Sequence, residues 1–161
     1  MRVPPIIRRA EARDVDGISR TILCAIRITN AVDYPPHVIA AVAENFTPQH
    51  VLAHLSKRHV FVAVVDNSVV GTASLHGRVV RSVYVDPDHQ GTGIGGKLME
   101  TVEELARNQS IDSVSVPSSI TAQEFYRRRG YVFVRNEHHG DERTILMKKD
   151  LTGPTRPTHV G

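Results

Sequence analysis

Tryptophan is absent from the chain, and aromatic residues of all kinds make up only 5% of it. So little aromatic surface leaves almost nothing for stacking against bases. An excess of one charge is also missing. The formal net charge of +3 suits an anionic small ligand and is too weak to argue for DNA, so no nucleic-acid partner is expected. A single cysteine, Cys24, excludes an intrachain disulfide. Set among Ile22, Leu23, Ala25 and Ile26, it reads as a small buried hydrophobe. No apolar run approaches the ~18–20 residues a membrane helix needs. The start, Met1-Arg2-Val3-Pro4-Pro5, lacks the apolar core of a signal peptide. No membrane partner is expected, and the cytoplasm is the default location. What remains is an ordinary globular balance, 40% apolar and 23% charged, in 161 residues, enough for one domain with a core.

Along the chain, Ile6 and Ile7 begin a short strand. Asp14 precedes Val15, Ile18, Ile22, Ala25 and Thr29, the spacing of an N-capped amphipathic helix. Pro35-Pro36 breaks it, a helical run covers 37–46, and Thr47-Pro48 opens another to Arg58. The pattern then turns β-like. Val60–Val65 and Val69–Leu75 flank Asp66-Asn67-Ser68, a hairpin signal, and Val79–Val85, apolar on both faces apart from Arg81 and Ser82, reads as a central strand. A helix follows with Ile94, Leu98, Val102 and Leu105 on one stripe and Glu100, Glu103, Glu104 and Arg107 mostly outside it. A strand over 112–116 is predicted to be cut by Pro117. A short helix over 121–129 carries Thr121 and Glu124 at capping-box spacing, and Gly130 ends it. Two last strands, 131–134 and 144–148, are joined by a turn with His138, His139, Gly140 and Asp141. The order predicts a mixed α/β or α+β domain on one sheet.

Between a strand and a helix lies Gln90-Gly91-Thr92-Gly93-Ile94-Gly95-Gly96-Lys97. Such a turn bares backbone N–H groups and lets an anion close, and the helix N-terminus adds ~0.3–1 kcal/mol of favourable potential. The loop is therefore expected to hold a phosphate or pyrophosphate. Gly91, Gly93 and Gly96 satisfy the dinucleotide fingerprint, but a five-residue loop, 86–90, intervenes after the strand, and Asp112 begins the next strand instead of ending it. Gly91, Gly96 and Lys97 satisfy most of a Walker A loop, but Leu98 stands where a hydroxyl must meet Mg²⁺.

The third pattern is Gln90, Gly93, Gly95. Here Val83-Tyr84-Val85-Asp86-Pro87-Asp88-His89-Gln90-Gly91-Thr92-Gly93-Ile94-Gly95, followed by Ala122-Gln123-Glu124-Phe125-Tyr126-Arg127-Arg128-Arg129-Gly130-Tyr131, resembles the two spaced motifs of the GNAT (Gcn5-related N-acetyltransferase) superfamily. The resemblance implies a single mixed, mostly antiparallel sheet of six to seven strands flanked by helices. This GNAT-like acyl-CoA N-acyltransferase fold would cover residues 1–151, with 152–161 as a flexible C-terminal tail. It implies acetyl-CoA as co-substrate, no metal, and transfer of the acetyl group to an amine acceptor by direct attack. Backbone N–H groups of Gly91, Thr92, Gly93, Ile94, Gly95 and Gly96, with Gln90, would hold the pyrophosphate, and Val83, Tyr84 and Val85 would pair with the pantetheine amides. Ser119 stands where the family often has a cofactor-touching asparagine.

Tyr126 is the implied catalytic residue, a proton donor to the departing thiolate. A phenol near pKa ~10 and a thiol near ~8.5 differ by about 2 kcal/mol, so a hydrogen bond or full transfer is open to it. No general base stands out. A lysine-like amine must lose a proton at about 4.6 kcal/mol at pH 7, yet no Asp or Glu lies between Val69 and Val85, and His76 reads better as a turn residue. Arg127, Arg128 and Arg129 are candidates for the cofactor's 3′-phosphate or a solvated face. His50 and His54 have helical metal-pair spacing but no third ligand. A non-catalytic acyl-CoA-binding or regulatory module on the same fold is the alternative. The acceptor's identity and a homodimer both stay open.

Overall fold

The computed structural model describes residues 3–152. In chain order the elements are β1 (Ile6–Arg9), α1 (Val15–Cys24), α2 (Pro36–Ala43), α3 (Pro48–Lys57), β2 (His59–Val65), β3 (Ser68–His76), β4 (Val79–Val85), α4 (Ile94–Asn108), β5 (Ser113–Ser118), α5 (Gln123–Arg128), β6 (Val132–His139) and β7 (Glu142–Asp150). Seven strands form one sheet in the order β1-β2-β3-β4-β5-β7-β6. Every neighbouring pair is antiparallel except β4 with β5. The tail expected over 152–161 lies, from residue 153 on, outside the described residues.

Alternation decides which helix covers which face. Successive strand side chains point to opposite sides, so Val60 and Val62 meet Ile18, Ile22, Ile26 and Val51 of the α1/α3 layer. Phe61 and Ala63 lie in the other layer with Leu98, Met99 and Val102 of α4. Asp66 and Asn67, both at positive φ (50° and 65°), make the two-residue β2–β3 turn. Thr47 caps α3, its hydroxyl accepting the His50 N–H at 3.4 Å.

Several local expectations give way to tertiary partners. Asp14 does not cap α1, because its carboxylate accepts from Arg8 at 2.7 and 3.0 Å and from the Glu11 N–H at 2.7 Å. Glu103, expected outside the α4 stripe, is only 3% exposed. It accepts from the Tyr131 hydroxyl and from Lys149 Nζ, each at 2.8 Å. The Thr121–Glu124 capping box does not form; Thr121 donates to Asp33, and Glu124 is taken by Arg127 and Arg128. His138 and His139 belong to β6, which leaves Gly140 and Asp141 as the turn.

Two features open the sheet. Arg81 pairs with Ser74 and Tyr84 with Thr72, so β4 carries one residue more than β3 there, and Ser82 sits at φ 56°. Such a bulge bends its strand. Beyond it β4 leaves β5: Val79–Ser115 is their one register pair, beside a Ser115 N–H to Arg78 carbonyl bond of 3.0 Å. Pro117 does not cut β5, contrary to expectation. The strand runs to Ser118, with Pro117 opposite Leu146 of β7. Proline is tolerated because the β4 side of the ladder has already ended.

Candidate functional site

The wedge between β4 and β5 is a cleft of about 700 Å³. Its walls include Val83, Tyr84 and Val85 on one side, Ser119 and Tyr126 on the other, and the loop from Gln90 to Gly96 at the mouth. Thr92 is the one predicted contact absent from the wall; its hydroxyl turns back to donate to the His89 carbonyl. Gln90 acts partly as a brace, its Nε2 donating to Thr29 Oγ1 at 3.1 Å and to the Val85 carbonyl at 3.3 Å. The glycines divide into two kinds. Gly93 needs its φ of 86° and has open space around it. At Gly95 a Cβ would come within 3.2 Å of the Phe125 ring, so this glycine lets α5 press on the start of α4.

Tyr126 is 4% exposed, with its ring edge-on to Phe125 and Tyr131 at 5.1 and 5.6 Å. Burial, and then nearby Tyr84, push its phenol well above the ordinary tyrosine range. It therefore stays a neutral O–H donor, and the gap to a thiol widens beyond that of a free tyrosine. Ser119 Oγ accepts the Ala122 N–H at 3.1 Å, so its hydroxyl also shapes the approach to α5.

Sequence reasoning names Arg128 and Arg129 but misses His89, Ala25, Thr29 and Asn30 of the wall. His89 Nδ1 and Arg129 Nε are buried with no hydrogen-bond partner, and both residues line the cleft. Arg129 brings a guanidinium to the wall, which suits an anionic guest, whereas His89 Nδ1 has Asp86 Oδ1 4.0 Å away. Arg127 and Arg128 are both tied to Glu124, and of the three arginines Arg128 and Arg129 reach the wall. Ala25, Thr29 and Asn30 come from a π-type turn, Ala25–Thr29, and the 3-10 turn after it, which prolong α1. His76 lies at the opposite end of β3, exposed and paired with Val79, away from the cleft. His50 Nδ1 is 2.8 Å from Thr47 Oγ1, and burial, reinforced by Arg58, holds the His54 imidazole down to about 4. Among the described residues no group of three or more His, Cys, Asp or Glu side chains is arranged for a metal, and no helix is long and apolar enough to cross a membrane.

Beside the cleft is a smaller cavity of about 60 Å³. Asn30, Tyr84 and Ser119 belong to both walls; Tyr34, Glu142 and Thr144 belong to the smaller one. Tyr34 fixes this corner, its hydroxyl donating to the Arg143 carbonyl at 2.7 Å and accepting the Ile120 N–H at 2.8 Å.

A mixed sheet parted in the middle, with a glycine-rich loop at the mouth of the gap, is the architecture of the N-acetyltransferase class. A family model described as the acetyltransferase (GNAT) domain matches residues 30–151, and the chain belongs to that family. It is 26% identical over 131 residues to the uncharacterized N-acetyltransferase YafP of Escherichia coli (strain K12), covering 81% of this chain and 83% of that one. A GCN5-related N-acetyltransferase from Rhodopseudomonas palustris superposes with a TM-score of 0.86 at 26% identity, covering 93% of this chain and 98% of that one. The PaiA N-acetyltransferase of Thermoplasma acidophilum, solved with coenzyme A, superposes at 0.79 with 16% identity, covering 92% and 99% of the two chains.

Proposed function

We propose that the protein is an N-acetyltransferase that moves the acetyl group of acetyl-CoA to an amine by direct attack. The observation that carries this reading is the shared cleft: the Gly91–Gly96 loop, the unpaired edge of β4 and the Tyr126 phenol all face one space. The donors fit the substrate's chemistry. Loop N–H groups with His89 and Arg129 suit a diphosphate, and the β4 edge suits an amide-bearing arm. The coenzyme A complex of the PaiA neighbour supports the same ligand class.

In the reaction the amine nitrogen bonds to the thioester carbonyl carbon. The carbon–sulfur bond breaks with its electron pair going to sulfur, and one amine proton ends on the departing thiol. Tyr126 donates a hydrogen bond to the sulfur as negative charge gathers there. Its raised pKa makes stabilisation of the anion, and not complete proton transfer, the lower-cost role. Cys24 does not line the cleft, in keeping with transfer that needs no enzyme thioester.

Calorimetry with acetyl-CoA, followed by a thiol-release assay against a panel of amines, tests this. Binding with amine-dependent thiol release is expected. No binding at millimolar cofactor overturns the reading, and binding with no release from any amine favours the non-catalytic module.

A further inference from the structure

We infer that Glu142 receives the acceptor as an ammonium, and that the acceptor's reacting end is an unbranched primary alkylamine. The inference rests on the transfer reading above and identifies the substrate class at that same site. Glu142 is the first residue of β7 and stands in the wall of the 60 Å³ cavity. Among the described residues its carboxylate makes no hydrogen bond or ion pair, whereas two other acidic side chains nearby are engaged. Asp33 is held by Thr121, and Glu124 by Arg127 and Arg128. Glu142 is close enough to Tyr34 and Tyr84 for its charge to raise both phenols. A negative group thus lies beside Tyr34, in the small cavity, and Tyr84, which that cavity shares with the cleft.

Thr144 supplies a separate observation. It is 8% exposed, lines the same cavity, and its Oγ1 is buried with no partner. A buried hydroxyl without a partner asks for one from outside the chain. An ammonium has three donors to give. Glu142 and Thr144 accept two, and the Tyr84 or Asn30 side chain borders the way back to the cleft. Size narrows the guest. The cavity is small, about 60 Å³, so it favours a charged nitrogen on a slender, unbranched stem over a carbon branched next to nitrogen. The remainder of the acceptor has room in a groove of about 540 Å³ along α2, which shares Tyr34 and Ile39 with the cavity.

Glu142 acts on binding. The ion pair stabilises the charged amine, which must still shed a proton before attack, so the residue selects acceptors and does not speed bond formation. The test compares wild type and Glu142→Gln with n-butylamine and tert-butylamine in the thiol-release assay. Crystals soaked in coenzyme A and n-butylamine give a second measurement. Wild type is expected to turn over n-butylamine and not tert-butylamine. Glu142→Gln should raise the KM for n-butylamine about tenfold or more, with kcat and acetyl-CoA affinity nearly unchanged. The soak should place nitrogen against Glu142 and Thr144. An unchanged KM, equal use of tert-butylamine, or amine density elsewhere while coenzyme A is bound overturns this inference alone. Failure of wild type to bind coenzyme A overturns the transfer reading and takes this one with it.

Discussion

Tyr126 has no charge partner to lower its pKa, and its surroundings on two sides are aromatic rings. Replacing it with phenylalanine keeps that packing and removes only the hydroxyl. Tyr126→Phe is expected to slow turnover about a hundredfold, the usual cost of one well-placed donor, while acetyl-CoA affinity by calorimetry moves less than about twofold. A large loss of affinity at unchanged turnover would contradict the role. Glu103 is a different kind of residue, a buried carboxylate outside the cleft wall, held by Tyr131 and Lys149. Glu103→Gln leaves Lys149, whose side chain is 21% exposed, without its counter-charge, and urea unfolding should show a loss of about 2–3 kcal/mol. His54 makes stability depend on pH. Its folded imidazole titrates at about 4 and an unfolded one near ~6.5, so between these values only the unfolded chain takes up the proton. Stability therefore falls as pH drops from about 6.5 to about 4. Urea midpoints across that window should fall less steeply in His54→Leu, and an unaltered slope would rule His54 out as the cause.

At the scale of elements, the contact between α4 and α5 is set by glycine. Gly95→Ala puts a methyl 3.2 Å from the Phe125 ring, so the ring beside Tyr126 must give by a few tenths of an ångström. Gly93→Ala meets no neighbour but forces alanine to a φ of 86°, at a cost near 1 kcal/mol. Gly95→Ala is expected to lower turnover more than affinity, and Gly93→Ala the reverse. Steady-state kinetics and calorimetry on both variants decide it. What could be read in advance follows from how local each signal is. The strands β2 to β4 show in the β-rich runs Val60–Val65, Val69–Leu75 and Val79–Val85, and α3 shows in Thr47-Pro48. The loop and Tyr126 stand within short motifs. Asp14, Glu103 and the Thr121–Glu124 pair were misread because Arg8, Tyr131, Lys149 and Asp33 compete for the same atoms, and a helix pattern does not display such competitors. The small cavity was invisible for the same reason. Tyr34, Tyr84, Glu142 and Thr144 meet only once β7 lies against β5.

Across the whole molecule, β4 and β5 are joined by a single register pair, so the ligand would supply the missing rungs. Amide exchange should report this directly. The amides of Val83–Val85 that face the gap are expected to slow when coenzyme A is added, while those of β2, already paired on both sides, change little. Equal slowing everywhere would mean global stabilisation without strand pairing. The same parting has a consequence in time. The β2–β3–β4 meander and the β6–β7 hairpin each zip from a short turn, whereas Val79 and Ser115 must wait for all of α4 to be laid between them. Refolding should therefore proceed as two separately nucleated blocks that dock late. Pulse labelling that found Val62 and Met147 acquiring protection in one concerted step would refute that history.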